Sequence, residues 1–342
     1  MTDQEWMAIA VAEARKGLGR TAPNPPVGAI LVRDGELLGS GWHRKAGLAH
    51  AEVEAMREVE KRLGKDALRG ATAYVTLEPC STSGRTPPCT GGLIEAGISR
   101  VVYGSVDPNP RHVGAADEVL LAAGIEVEGG VLEKECDEIL RPFSKVQREG
   151  LPWLIWKCAM SLDGKITRPA GESQWLSGAE SRADVQRLRS EVDAILTSGE
   201  TVRCDKPALT IRVPELLACR DQPWRVVVTD HPETMPSDAP IFSDEWSDRT
   251  LIRERGNMEK MLRALVAEQG VLSVMLEAGG KFSAAMISAG LVDEVVIYYA
   301  PLLCGGNVPA LAEVDFPASV WLEEVNYVQF GADFRVRGLI KK

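Results

Sequence analysis

Residues 50–56 read His-Ala-Glu-Val-Glu-Ala-Met, and residues 78–89 read Glu-Pro-Cys-Ser-Thr-Ser-Gly-Arg-Thr-Pro-Pro-Cys. One imidazole and two thiols, at His50, Cys80 and Cys89, are three ligands that zinc accepts, and three leave a fourth position open for water. A structural zinc site would normally take four protein ligands. A metal in an open site lowers the pKa of its water from about 15.7 towards about 7. Glu52 follows His50 by two positions, so in a helix it points to a different face of the turn. It can therefore stand beside the metal without ligating it, and carry protons. The eight residues between the two cysteines must leave as a loop, and their glycine and prolines suit one.

His-x-Glu followed by Pro-Cys and a second Cys is the residue order of zinc-dependent deaminases. The surrounding sequence supplies a scaffold for it. Residues 3–16 form an expected amphipathic helix with Met7, Ala10, Val11 and Ala14 along one face. A stiff turn follows, in which Asn24 stands between prolines and can read a heterocycle edge. Strands are expected at 29–32 and, after the Asp34-Gly35 turn, up to Trp42-His43. The strand 71–77 delivers Pro79-Cys80 at its carboxyl end, where open α/β sheets bind ligands. A short helix begun by Cys89, a strand at 100–104, a helix at 117–123 and a strand at 125–127 complete an α/β layered domain.

Composition narrows the partners. The chain has 342 residues, which suits two domains, and 45% of them are hydrophobic. A net charge of -10 and a pI near 5.1 argue against a nucleic-acid binder or a membrane-surface protein. Seven cysteines without a framework pattern point to a reducing compartment. The start lacks a signal peptide and no run of about 18 apolar residues occurs, so a cytoplasmic location is expected.

His43, Gly47, His50-Ala51-Glu52, Cys80, 84–89 and Asp107-Pro108-Asn109-Pro110 together resemble the deaminase domain of the bifunctional riboflavin-biosynthesis deaminase/reductase. The resemblance implies a cytidine-deaminase-like α/β/α domain. It implies zinc ligation by His50, Cys80 and Cys89, with Glu52 as proton shuttle. Contact with a phosphoribosylamino-pyrimidine is implied for Asn24, His43, Arg85, Asp107 and Asn109. Thr82-Ser83 stand where that family has one or two histidines, and His112 and Ala116 replace a usual Val and Gly.

Glu149-Gly150-Leu151-Pro152 breaks a charged helical stretch, so domains are expected over 1–149 and 150–342. Beyond it come a strand at 153–159 carrying Lys157, then strands at 194–197, 225–229 and 272–277. A lysine in a strand is usually a solvated edge device. The last of these strands runs into Ala278-Gly279-Gly280-Lys281, and paired glycines before a helix can cradle phosphate. Strands are also expected at 325–328 and 334–339. No G-x-G-x-x-G dinucleotide fingerprint is present.

Lys157-x-Ala159-x-Ser161-Leu162-Asp163-Gly164, Leu188-Arg189, Thr201-Val202, Asp205-x-Pro207, Leu209-Thr210-x-Arg212 and Glu277-x-Gly279-Gly280 resemble the reductase domain of the same enzyme family. That resemblance implies a dihydrofolate-reductase-like α/β domain using NADPH, and a homodimer. It implies cofactor contact by Ala159, Trp175, Thr201, Asp205, Asp230, Gly279, Gly280, Lys281, Phe282, Ser283, Ala284 and Ala285. It implies substrate contact by Ser173, Arg189, Leu209, Arg212 and Glu277, with Arg189 and Arg212 as a phosphate clamp. Lys157, Asp205 and Glu277 are the candidates for polarising or protonating the substrate.

Overall fold

Strand β1 (Gly28–Arg33) shows how the first sheet acquires two covered faces. Its side chains alternate: Ala29 and Leu31 enter one core, Ile30 and Val32 the other. In this computed structural model, which describes residues 1–81, 88–109, 114–172, 175–218, 220–313 and 315–341, β1 pairs antiparallel with β2 (Glu36–Trp42) and with β3 (Thr72–Leu77). Strands β4 (Arg100–Ser105) and β5 (Glu126–Glu128) continue in parallel, giving the order β2-β1-β3-β4-β5. Helices α1 (Asp3–Arg15) and α5 (Glu133–Glu149) supply Trp6, Met7, Ala10, Cys136 and Ile139 to one face. The other face is covered by α2 (Ala51–Leu63), α3 (Cys89–Glu95) and α4 (Ala115–Ala122) through Ala55, Val59, Leu93 and Leu120. Close approach of α2 to the sheet depends on Gly41, where a Cβ would lie 2.4 Å from Ala55 N.

The chain divides into two compact units, Met1–Gly150 and Leu151–Lys342. In the second, β6 (Trp153–Ser161) lies inside an eight-stranded sheet of order β12-β13-β11-β6-β10-β7-β8-β9. The parallel strands are β6, β7 (Ala194–Ser198), β8 (Trp224–Val228), β9 (Thr250–Arg253), β10 (Ser273–Leu276) and β11 (Glu294–Ala300). An antiparallel hairpin of β12 (Leu322–Phe330) and β13 (Asp333–Ile340) closes the sheet. Helix α6 (Ala179–Glu191) covers one face with Val185 and Leu188. Between β7 and β9 lie three short helices, α7 (Gly199–Asp205), α8 (Pro214–Leu217) and α9 (Pro240–Ser243). Helices α10 (Met258–Gln269) and α11 (Gly280–Ser288) cover the opposite face.

Candidate functional site

His50 is the N-cap of α2, extended at φ -72° and ψ 166°, and the helix begins at Ala51. Cys80 follows the end of β3 by three residues, and Cys89 is the first residue of α3. Their ligand atoms, Nδ1 of His50 and the two Sγ atoms, all lie within 4.8 Å of one another. Nδ1 is 3.2 Å from Cys89 Sγ and 3.6 Å from Cys80 Sγ. Ordinary zinc–nitrogen and zinc–sulfur bonds in a tetrahedron put N and S about 3.6 Å apart, so the donor set fits zinc. A hydrogen bond from Cys89 draws the Cys80 thiol down to about 4, towards the ligating thiolate. Glu52 is 4% exposed beside these atoms, and burial pushes its carboxyl upward.

A cavity of about 250 Å³ opens on this cluster and brings Asn24, His43, Asp107 and Asn109 to it. His43 Nδ1 lies 2.9 Å from Ala49 O and its Nε2 lies 3.0 Å from Asn24 Nδ2. A carbonyl can only accept, so Nδ1 donates to it, and Nε2 then accepts from Asn24. The tautomer thus turns the Asn24 amide oxygen away from His43 and leaves it to meet a ligand's N–H. Five lining residues are not among the expected contacts: Pro25, Val27, Leu77, Glu78 and Phe143. Glu78 was readable in the Glu-Pro-Cys run; Phe143 gave no signal within its charged helix. Arg85, Thr82 and Ser83 lie outside the described residues, as does Ser173.

In the second unit Lys157 stands on β6 and Glu277 just beyond β10, its parallel neighbour. Lys157 is therefore no edge lysine: its Nζ lies 3.3 Å from Glu277 Oε2. Arg189, from α6, donates to both oxygens of the same carboxylate, at 2.8 and 3.2 Å, and to Thr210 O at 3.0 Å. Burial alone would raise Glu277, but the Arg189 and Lys157 cations outweigh it and hold the carboxyl at about 2. Arg189 is buried and spends its fork on Glu277, whereas Arg212 is exposed with its backbone N–H fixed by Gln186 Oε1 at 2.6 Å.

Leu209 is buried at φ 51°, a conformation a leucine adopts only under constraint. The constraint is visible on both sides of it. Arg225 donates to Ala208 O at 3.0 Å, Arg189 to Thr210 O, and the Gln222 amide exchanges two 2.8 Å bonds with the Ile211 backbone.

Thr201 Oγ1 accepts from Gly279 N at 3.2 Å, tying α7 to the start of α11. A Cβ on Gly280 would stand 2.3 Å from Pro309 O, so no larger residue fits there. No side chain caps α11, which leaves first-turn N–H groups for a cofactor phosphate. The side chains of Phe282, Ser283 and Ala284 are buried, and Ser283 Oγ donates to Ala278 O at 3.2 Å. Only their backbone remains to offer, while Lys281 pairs with Glu313 and Ala285 is exposed. Ala159 lies on β6, Trp175 is half-exposed under the Arg182 guanidinium, and Asp205 is exposed at the end of α7. Asp230 Oδ1 accepts from Arg255 N at 2.9 Å.

The two sheets and their sites define a zinc deaminase joined to a reductase of the dihydrofolate-reductase type. Residues 1–105 match the cytidine and deoxycytidylate deaminase zinc-binding region, and residues 152–336 match the RibD C-terminal domain. The riboflavin biosynthesis protein RibD of Escherichia coli (strain K12) is 39% identical over 338 residues, 91% of either chain. That of Mycobacterium tuberculosis (strain ATCC 25618 / H37Rv) is 41% identical over 312 residues, 91% of this chain and 88% of the relative. The structure of Acinetobacter baumannii RibD (form 1) superposes with a TM-score of 0.88 at 35% identity, covering 99% of both chains. The deaminase/reductase of Thermotoga maritima gives 0.86 at 33% identity with the same coverage. The chain belongs to the RibD family of bifunctional riboflavin-biosynthesis enzymes, and its cofactors are zinc and NADPH.

Proposed function

We propose that the first unit replaces the 2-amino group of 2,5-diamino-6-(5-phosphoribosylamino)pyrimidin-4-one with oxygen, and that the second reduces the ribosyl group of the resulting uracil to ribityl. The observation that carries the first half is the convergence of His50, Cys80 and Cys89 beside a buried Glu52. When bound, zinc supplies water activated for attack at neutral pH. Glu52 moves that water's proton to the ring nitrogen and the leaving amine, so that water enters and ammonia leaves. Asn24, Asp107 and Asn109 meet the pyrimidine edge, and His43 orients Asn24.

In the second unit NADPH supplies the hydride, which is the cofactor's own chemistry. Residues of this chain decide where the substrate lies and where the proton comes from. Glu277 is held ionised, which leaves Lys157, 3.3 Å from it, and Asp205, whose carboxyl burial raises, as the groups to protonate the ring-opened ribosylamine. Arg212 meets the phosphate, and the backbone at the start of α11 meets the cofactor pyrophosphate. A homodimer formed through the second unit is consistent with β12, an edge strand that exposes Val325 and Tyr327 next to an exposed Trp321. Six described cysteines are free, which supports a reducing, cytoplasmic setting; no described helix is long and apolar enough to cross a membrane.

The test is a coupled assay on zinc-loaded protein with the pyrimidine substrate, following ammonia and NADPH separately. Both signals, with NADPH loss dependent on prior deamination, are expected. Ammonia without NADPH loss would leave the second unit without its assigned reaction, and no signal at all would overturn the substrate.

A further inference from the structure

Glu78 is 3% exposed, and it stands between β3 and the zinc-ligand position Cys80. A buried carboxylate needs donors. Those of Glu78 are backbone N–H groups from one distant stretch. Its Oε2 accepts from Asp107 N at 3.2 Å and Gly114 N at 3.1 Å, and its Oε1 from Ala116 N at 3.1 Å. Its own N–H donates to Ser105 O at 2.8 Å. Asp107 Oδ1 in turn accepts from Asn109 N at 2.8 Å. Glu78 therefore fixes Asp107, and Asp107 fixes Asn109.

The same carboxylate serves a helix that cannot cap itself. The N-cap of α4 is Gly114, left-handed at φ 69° and without a side chain to offer. Glu78 supplies that cap from 36 residues earlier, at the end of the helix that favours negative charge. One side chain thus refers the ligand Cys80 and the loop carrying Asp107 and Asn109 to a common point.

We propose that Glu78 is a positioning residue for deamination, setting Asp107 and Asn109 against the metal ligands so that they meet the pyrimidine. The inference rests on the reading of the first unit as a pyrimidine deaminase. A residue that only capped α4 would alter stability and leave substrate affinity alone. A positioning residue alters KM, and does so through Asp107 and Asn109.

Glu78→Gln puts an NH2 against a backbone N–H, and Glu78→Asp keeps the charge but falls a methylene short. Both are made in the full-length, zinc-loaded protein, alone and with Asn109→Ala. Zinc per chain, KM and kcat for ammonia release, and NADPH oxidation with the deaminated product supplied directly are measured. Glu78→Gln is expected to raise KM about tenfold or more, the scale of one lost charged hydrogen bond. Zinc content and NADPH oxidation stay at wild-type levels, and in the Asn109→Ala background the same change moves KM by a smaller factor than it does alone. A wild-type KM in both zinc-loaded Glu78 variants, or an undiminished effect in the Asn109→Ala background, overturns the proposal. If the Gln variant does not fold, the Asp variant carries the same comparison. Zinc-loaded wild type run alongside separates the failures: no ammonia from it overturns the deaminase reading itself, and this inference with it.

Discussion

Glu52 is a buried carboxylate and Glu277 a largely buried one, and their surroundings push them in opposite directions. Burial and the neighbouring thiolate raise Glu52, while Arg189 and Lys157 hold Glu277 at about 2. Glu52→Gln removes the proton carrier without removing a ligand. Ammonia release is expected to fall by about a thousandfold, within the range of general acid–base contributions, with zinc still bound. Turnover retained in a zinc-replete sample would refute the role. At Glu277 the folded value lies below the ordinary 4.5, so the unfolded chain binds the proton more readily in between. The stabilisation is complete above about 4.5 and is lost as pH falls through about 2. Glu277→Gln strands the buried Arg189 and the half-buried Lys157, and should cost about 3 kcal/mol near neutral pH. Denaturant melts should show that gap narrowing below pH 4.5, and a gap constant with pH would contradict the assignment.

At the scale of elements, α2 carries Glu52 and begins beside His50, so its seat on the sheet fixes both. Gly41 makes that seat possible, since a Cβ there would meet Ala55 N at 2.4 Å and Ala51 O at 2.6 Å. Gly41→Ala must push α2 outward, at about 1–3 kcal/mol for an overpacked contact. Ammonia release should drop with it, while NADPH oxidation of supplied product keeps its rate. Unchanged deamination would show that α2 tolerates the shift.

Over the whole molecule, the metal belongs to Met1–Gly150, and the Lys157–Glu277–Arg189 cluster to Leu151–Lys342. Each unit has its own sheet and its own cores on both faces. Removing zinc with a chelator should therefore abolish ammonia release and spare NADPH-dependent reduction of the deaminated product. Loss of both activities together would mean that zinc holds up more than its own unit.

The clustering of His50, Cys80 and Cys89 beside Glu52, and most strands, were legible in the sequence because each depends on residue type in a fixed order. His50 and Glu52 share a helix start, Cys80 ends a β-rich run, and β1 writes its two faces as alternation. Partner choice was not legible, because it depends on which strands become neighbours. Only the packing of α6 shows that Arg189 lies against Glu277, 88 residues further on. Strand position alone would suit Lys157 to a solvated edge; β11 and β10 flank its strand instead. That the side chains of Phe282, Ser283 and Ala284 turn inward is decided only when α11 packs on the sheet. Ligand identity is a property of local chemistry; which charge a buried side chain must satisfy is decided only when distant strands and helices pack and exclude water.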